Sequence, residues 1–210
     1  MGHTMKLLAS TMAILAIAFA GSAARAGDEG AFTFGQRFAD RNCTWCHGPS
    51  VQGFTTAPRL AGQRRQYLEN QLLSFKNHAR DNPLSQQYMW GAAVAVTPET
   101  ARALAAYLSS LEAKSANDGD DRLAASGETL YRQGSLASNI PACVACHGPN
   151  GEGVGAIPRL GGLSYHYLKR KLAQWGEGYH AAAMAPMPEV ARKLSPTQIE
   201  ELSSYLSFAR

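Results

Sequence analysis

Every cysteine in the chain belongs to one of two C-x-x-C-H pentapeptides, Cys43-Thr-Trp-Cys46-His47 and Cys143-Val-Ala-Cys146-His147, which stand one hundred positions apart. Two thiols separated by two residues can add across both vinyl groups of one porphyrin, and the histidine that follows is then held against the iron. The pattern predicts two covalently attached c haems, with Cys43, Cys46, Cys143 and Cys146 as attachment points and His47 and His147 as iron ligands. Zinc and redox-disulfide chemistry use the same letters differently. A structural zinc takes ligands from two knuckles, and a histidine directly after a cysteine is poorly placed to share that cysteine's metal. A thioredoxin-type C-x-x-C needs a βαβ setting, and no alternating strand pattern surrounds either motif.

An iron held by one histidine keeps a sixth coordination position, and its occupant decides between electron transfer and chemistry on a small molecule. Met89 lies forty-two residues after His47 and Met187 forty after His147, each expected in a loop ahead of a capped final helix. A thioether is soft and neutral, favours ferrous iron and shuts out dioxygen and peroxide. A lone methionine is ordinarily packing filler, but two at matched positions are read as axial ligands. Met184 competes with Met187, and only Met187 keeps register with Val190, Ala191 and Leu194 as Met89 does with Ala92, Ala93 and Val96. His78, His166 and His180 have no counterparts in the other half and are read as surface or supporting residues.

The chain around these groups repeats. At an offset of one hundred, Gly48, Pro49, Gly53, Pro58, Arg59, Leu60, Gly62, Tyr67, Leu68 and Leu72 meet identical residues, and the offset slips to ninety-eight where Met89 meets Met187 and Tyr107 meets Tyr205. This is a duplicated domain, divided by the polar, Gly-containing stretch Ala113–Asp121. Within each copy the pattern is helical. Residues 32–41 lead into the first motif, 63–76 put Tyr67, Leu68, Leu72 and Phe75 on one face, and 98–111 close the copy. Thr97-Pro98-Glu99 and Ser195-Pro196-Thr197-Gln198 read as helix starts, the second a capping box. The Gly- and Pro-rich stretches 48–62 and 148–162 are expected to loop round the porphyrin edge. Each copy has roughly ninety residues, small for a self-sufficient core, so poor folding without haem is expected.

Pro58-Arg59-Leu60, Pro158-Arg159-Leu160 and Ile140-Pro141-Ala142-Cys143 carry a resemblance to the dihaem class I cytochromes c, most of all the cytochrome c4 family, across essentially the whole mature chain. The resemblance implies an all-α fold of two tandem class I cytochrome c domains, packed about a pseudo-twofold axis with propionate edges facing. It also implies that the Pro58 and Pro158 carbonyls accept the Nδ1 protons of His47 and His147, and that Arg59 and Arg159 lie near propionates. The first copy departs from the family at Trp45, at Trp90 and in the segment Ser50-Val-Gln-Gly53.

Lys6, the apolar run Leu7–Ala20 and the small-x-small triplet Ala24-Arg25-Ala26 read as a secretory signal peptide over residues 1–26. The fourteen-residue run falls short of the roughly twenty that span a bilayer. The domains are then 27–115 and 116–210, in a periplasmic protein. Without Lys6 and Arg25, eighteen basic residues face sixteen acidic ones, and four propionates would carry the net charge to about −2 with both irons ferrous. That balance excludes a nucleic-acid binder, and Lys169-Arg170-Lys171 reads as a solvated helix face, with docking of an acidic partner as the alternative. The expected function is electron carriage, not enzymatic catalysis, between a quinol-oxidising complex or dehydrogenase and a terminal oxidase. The alternative is a dedicated cytochrome subunit of a periplasmic dehydrogenase. Peripheral membrane association is left open.

Overall fold

The computed structural model describes residues 29–179 and 186–210. The leader 1–26, His180 and Met184 lie outside the described residues. Among those described there is no strand, only the isolated pairings Ser135 with Ile140 and Val154 with Ile157. No described helix is long and apolar enough to cross a membrane.

The first copy begins with α1, over residues 29–42. It continues through the single turn α2 (Thr44–His47), α3 (Arg65–Lys76), a π-helical turn (Ser85–Met89) that runs into α4 (Trp90–Ala93), and α5 (Pro98–Ser110). The second copy has α6 (Asp121–Gln133), α7 (Val144–His147), α8 (Tyr165–Gly176), α9 (Met187–Ala191) and α10 (Pro196–Phe208). The caps explain several of these limits. Thr97 Oγ1 accepts from the Thr100 amide at 3.2 Å, and Ser195 and Gln198 bond reciprocally at 3.2 and 2.9 Å, the capping box expected there.

In each copy the first helix crosses the last at a glycine. A Cβ on Gly35 would lie 2.2 Å from the Ala103 carbonyl oxygen, and one on Gly127 would lie 2.0 Å from that of Glu201. Only hydrogen fits at either crossing. The ring contacts Phe32–Tyr107, with centroids 5.6 Å apart, and Tyr131–Tyr205, at 5.4 Å, flank the two crossings. The second core gathers Tyr131, Ile140, Leu168, Trp175, Leu202 and Leu206. The first is split between a cluster around Leu68, Leu104 and Leu108 and another around Phe75, Ala93 and Val96.

The segment between the copies is fastened to the second one. The Ala116 amide donates to the Gly162 carbonyl at 3.1 Å, the Asn117 amide to that of Ser207 at 3.1 Å, and Asp118 accepts from Ser164 Oγ at 2.7 Å. Met89 and Met187 are helical, contrary to the loops expected for them. Met89 ends the π-helical turn, and Met187 opens α9 between Pro186 and Pro188. Proline at the start of a helix is no breaker, because the N–H it lacks would find no partner there.

Candidate haem sites and the cavity between the copies

The attachment motifs fold as one helical turn apiece, each ended by a glycine of positive φ, Gly48 at 83° and Gly148 at 81°. The chain then returns over the histidine. The Gly53 amide donates to the His47 carbonyl at 2.9 Å and the Gly153 amide to that of His147 at 2.8 Å. Both glycines have left-handed φ, and a Cβ on either would lie within 2.6 Å of backbone in the Pro-Arg segment opposite. That close return carries Pro58 and Pro158 beneath the imidazoles.

His47 Nδ1 donates to the Pro58 carbonyl at 2.7 Å and His147 Nδ1 to that of Pro158 at 3.0 Å. A carbonyl only accepts, so the proton sits on Nδ1 and the Nε2 lone pair is left available to a metal. Burial, the larger effect, pushes both imidazoles below their ordinary pKa, against the opposing pull of the proline carbonyls. All four thiols are unpaired by disulfide. Burial raises Cys43 and Cys143 to about 11, while Cys46 and Cys146 stay exposed.

A cavity of about 500 Å³ runs between the copies. Its wall brings together Cys43, Cys46, His47 and Met89 of the first copy with His147 and Met187 of the second. The remaining wall is chiefly aliphatic and aromatic, including Leu68, Leu72, Phe75, Leu168 and Leu172. Cys143 lies half-buried against the second core and Cys146 faces outward. Met89 packs beside Phe75 and Val96. Its neighbour Trp90 is anchored by an indole N–H bond to the Arg80 carbonyl at 2.9 Å and by stacking on His78 with centroids 4.0 Å apart. Among the described residues no cluster of three or more His, Cys, Asp or Glu side chains is arranged to hold a bare metal ion.

The family model for cytochrome c matches residues 32–112 and again 124–208. The chain belongs to the cytochrome c family, on its dihaem cytochrome c4 branch. It is 34% identical to cytochrome c4 of Pseudomonas aeruginosa, over 96% of this chain and 97% of that one. The crystal structure of reduced recombinant cytochrome c4 from Pseudomonas stutzeri superposes with a TM-score of 0.75 at 33% identity, covering 85% of this chain and 98% of that one. A thiosulfate dehydrogenase electron acceptor of Stutzerimonas stutzeri is 36% identical, over 79% of this chain and 77% of that one. This protein is therefore an electron carrier with two covalently bound c haems and redox proteins as partners, not an enzyme. Reduced thiol pairs, imidazoles with a free Nε2 and an apolar cavity fit that group.

One run of basic side chains departs from expectation. Lys169-Arg170-Lys171 is not a uniform solvated face. Lys169 Nζ pairs with Glu200 at 2.5 Å, Arg170 reaches across to the Thr56 carbonyl at 2.7 Å, and Lys171 is buried. The apolar spacing of α8 carries the missed signal, because Lys171 sits four after Tyr167 and three after Leu168, both buried. Arg59, expected near propionates, lines the cavity and donates to the Gly162 carbonyl of the other copy. Arg159 donates to the Gly161 carbonyl at 2.9 Å. No motif singles out the buried Arg80.

Proposed function

We propose that Cys43 and Cys46 hold one porphyrin and Cys143 and Cys146 the other, with His47 and Met89 as axial ligands of the first iron and His147 and Met187 of the second. The chain is read as two domains, 27–115 and 116–210, released into the periplasm after loss of residues 1–26. The observation that carries this reading is the pair of Nδ1-to-proline bonds, repeated in both copies, with the imidazoles and both methionines on the wall of one cavity. Each bound haem supplies one reversible ferric–ferrous electron. The protein's part is to orient the imidazoles, exclude water with aliphatic walls, and keep the two centres beside each other so that an electron entering at one copy leaves from the other.

The donor is read as a quinol-oxidising complex or periplasmic dehydrogenase and the acceptor as a terminal oxidase. A second reading, a dedicated electron acceptor for one dehydrogenase, is favoured by the similarity to a thiosulfate dehydrogenase electron acceptor. A potentiometric titration followed in the visible tests the ligation. Two one-electron steps, low-spin spectra in both oxidation states and no carbon monoxide adduct are expected. A high-spin component that binds carbon monoxide would refute one axial methionine. Incubation with thiosulfate dehydrogenase and thiosulfate separates the two partner readings, since haem reduction on that route supports the second.

A further inference from the structure

Met89 ends a five-residue π-helical turn and is followed by the four-residue α4. Neither supports itself, because isolated helices shorter than about twelve residues are marginal in water, and π-helical turns are rare and found mostly at functional sites. Whatever fixes the Met89 thioether must come from outside these turns. The anchors come from one stretch, residues 76–80 at the end of α3. Lys76 Nζ donates to the Val94 carbonyl at 3.2 Å and to that of Val96 at 2.7 Å, just past α4. The Trp90 indole N–H bonds the Arg80 carbonyl, and the Trp90 ring lies on that of His78 with the two planes 13° apart. Arg80 is itself fastened. Its amide donates to the Ser74 carbonyl at 3.2 Å, and its guanidinium donates to Gln71 Oε1 at 2.7 Å and to the Tyr167 hydroxyl of the second copy at 3.2 Å.

His78 is exposed, yet its backbone is left-handed, with φ 59°. The matched residue of the second copy is Gly178, at φ 99°. A side chain at such a φ is strained and persists where its surroundings hold it, and burial does not hold an exposed ring. The stack on Trp90 is what this ring gains there. The second copy has neither partner. Gly176 and Gly178 stand where the first copy has Lys76 and His78, and Pro188 stands where it has Trp90. Met187 is set instead between Pro186 and Pro188, whose rings fix the backbone on either side of it.

We infer that Trp90 and His78 are positioning residues that hold Met89 in place and so keep the first iron closed to small ligands, a device the second copy does without. This rests on the axial ligation proposed above. A neutral thioether binds weakly, so how firmly the chain holds Met89 decides how often carbon monoxide finds the sixth position open. The indole bond ties the backbone at Trp90 to a residue anchored in α3 and across the seam, and the stack stops the indole from swinging away. Two centres of one chain are thereby closed by different means, the first by side-chain anchors and the second by proline.

The test uses the holoprotein with His78→Gly, which borrows the residue of the second copy, and with Trp90→Leu and Trp90→Phe. Haem content by mass, both midpoint potentials, thermal unfolding and the rate of carbon monoxide binding to the ferrous protein are measured. His78→Gly relieves the left-handed strain and deletes the stack. It is expected to keep two haems and the potential of the second, and to speed carbon monoxide binding at the first about fivefold, the worth of one lost ring pair. Trp90→Leu should bind carbon monoxide faster still and lower the potential of the first haem, and Trp90→Phe, which keeps a ring over His78, should fall between Trp90→Leu and wild type. A His78→Gly protein that melts at the same or a higher temperature and binds carbon monoxide no faster than wild type would overturn the inference, since a merely structural ring at that backbone is better replaced by glycine. Should Trp90→Leu fail to mature, His78→Gly decides by the same criteria. Rapid carbon monoxide binding by the first haem of the wild type would instead overturn the Met89 ligation, and this inference with it.

Discussion

Gly127 of α6 meets the carbonyl oxygen of Glu201 in α10 so closely that a Cβ there would stand 2.0 Å from it. Gly35 stands in the same relation to Ala103 of α5, so each copy is closed by a backbone-to-backbone crossing. Gly127→Ala is expected to destabilise the protein by about 2 kcal/mol or more, through overpacking against main chain that cannot yield like a side-chain tip. Gly30→Ala is the control, because nothing lies within 4 Å of its added carbon. It should leave stability unchanged or raise it by about 0.5–1 kcal/mol. Thermal unfolding of both holoproteins checks the contrast, and equal melting temperatures would refute it.

The loop over each haem site tests how a left-handed backbone is tolerated. Val51 holds φ 48° where the second copy has Gly151 at 69°. Val51 is 2% exposed, so its burial, worth about 1.5–3 kcal/mol, outweighs a strain of about 1–2 kcal/mol. Val51→Gly should cost less than about 2 kcal/mol, and Gly151→Val about 3 kcal/mol or more. In the second copy the new Cβ would also press on the Gly161 amide nitrogen at 2.8 Å. Denaturant midpoints of the two variants decide the order.

On the proposed ligation, loss of one methionine should act on one centre. Met89→Ala and Met187→Ala are each expected to lower a single reduction potential and to create carbon monoxide binding at one haem, leaving the other untouched. Spectroelectrochemistry with and without carbon monoxide reads both effects. If Met187→Ala changes neither, Met184 becomes the ligand to test.

Removing a haem should expose how small each core is. The double variant Cys143→Ala, Cys146→Ala is expected to mature with the mass of one haem fewer and with a lower melting temperature by circular dichroism, because the apolar wall around Leu168 and Leu172 loses what it encloses. Full haem content in that variant would refute attachment through these thiols.

The cap of the last helix gives a smaller, independent measure. Ser195→Ala removes the acceptor for the Gln198 amide and should cost about 1 kcal/mol, read as a lower denaturant midpoint with an unchanged slope.

Much of the molecule is legible in the chain as written. The attachment motifs follow from covalent spacing, the helices from apolar period and caps, and the duplication from matched residues, all of which are local or self-referential properties. The family resemblance implies Nδ1 bonds from His47 and His147 to Pro58 and Pro158, and both are present in the structure. The loops expected at Met89 and Met187 are helical turns instead, and at Met187 the flanking prolines begin the helix rather than prevent it. Three basic residues in a row look like a surface, yet the helical period turns Lys171 inward with Tyr167 and Leu168.

The covalent chemistry, the all-helical copies and their register are thus written in the linear order of residues, since each depends on neighbours or on positions one repeat apart. The crossing points at Gly35 and Gly127 and the bridge from Arg80 to Tyr167 are not. Each depends on which surfaces of separate helices approach within a few ångströms. That is fixed by the packing of helices within and between the two copies, and no spacing along the chain encodes it directly.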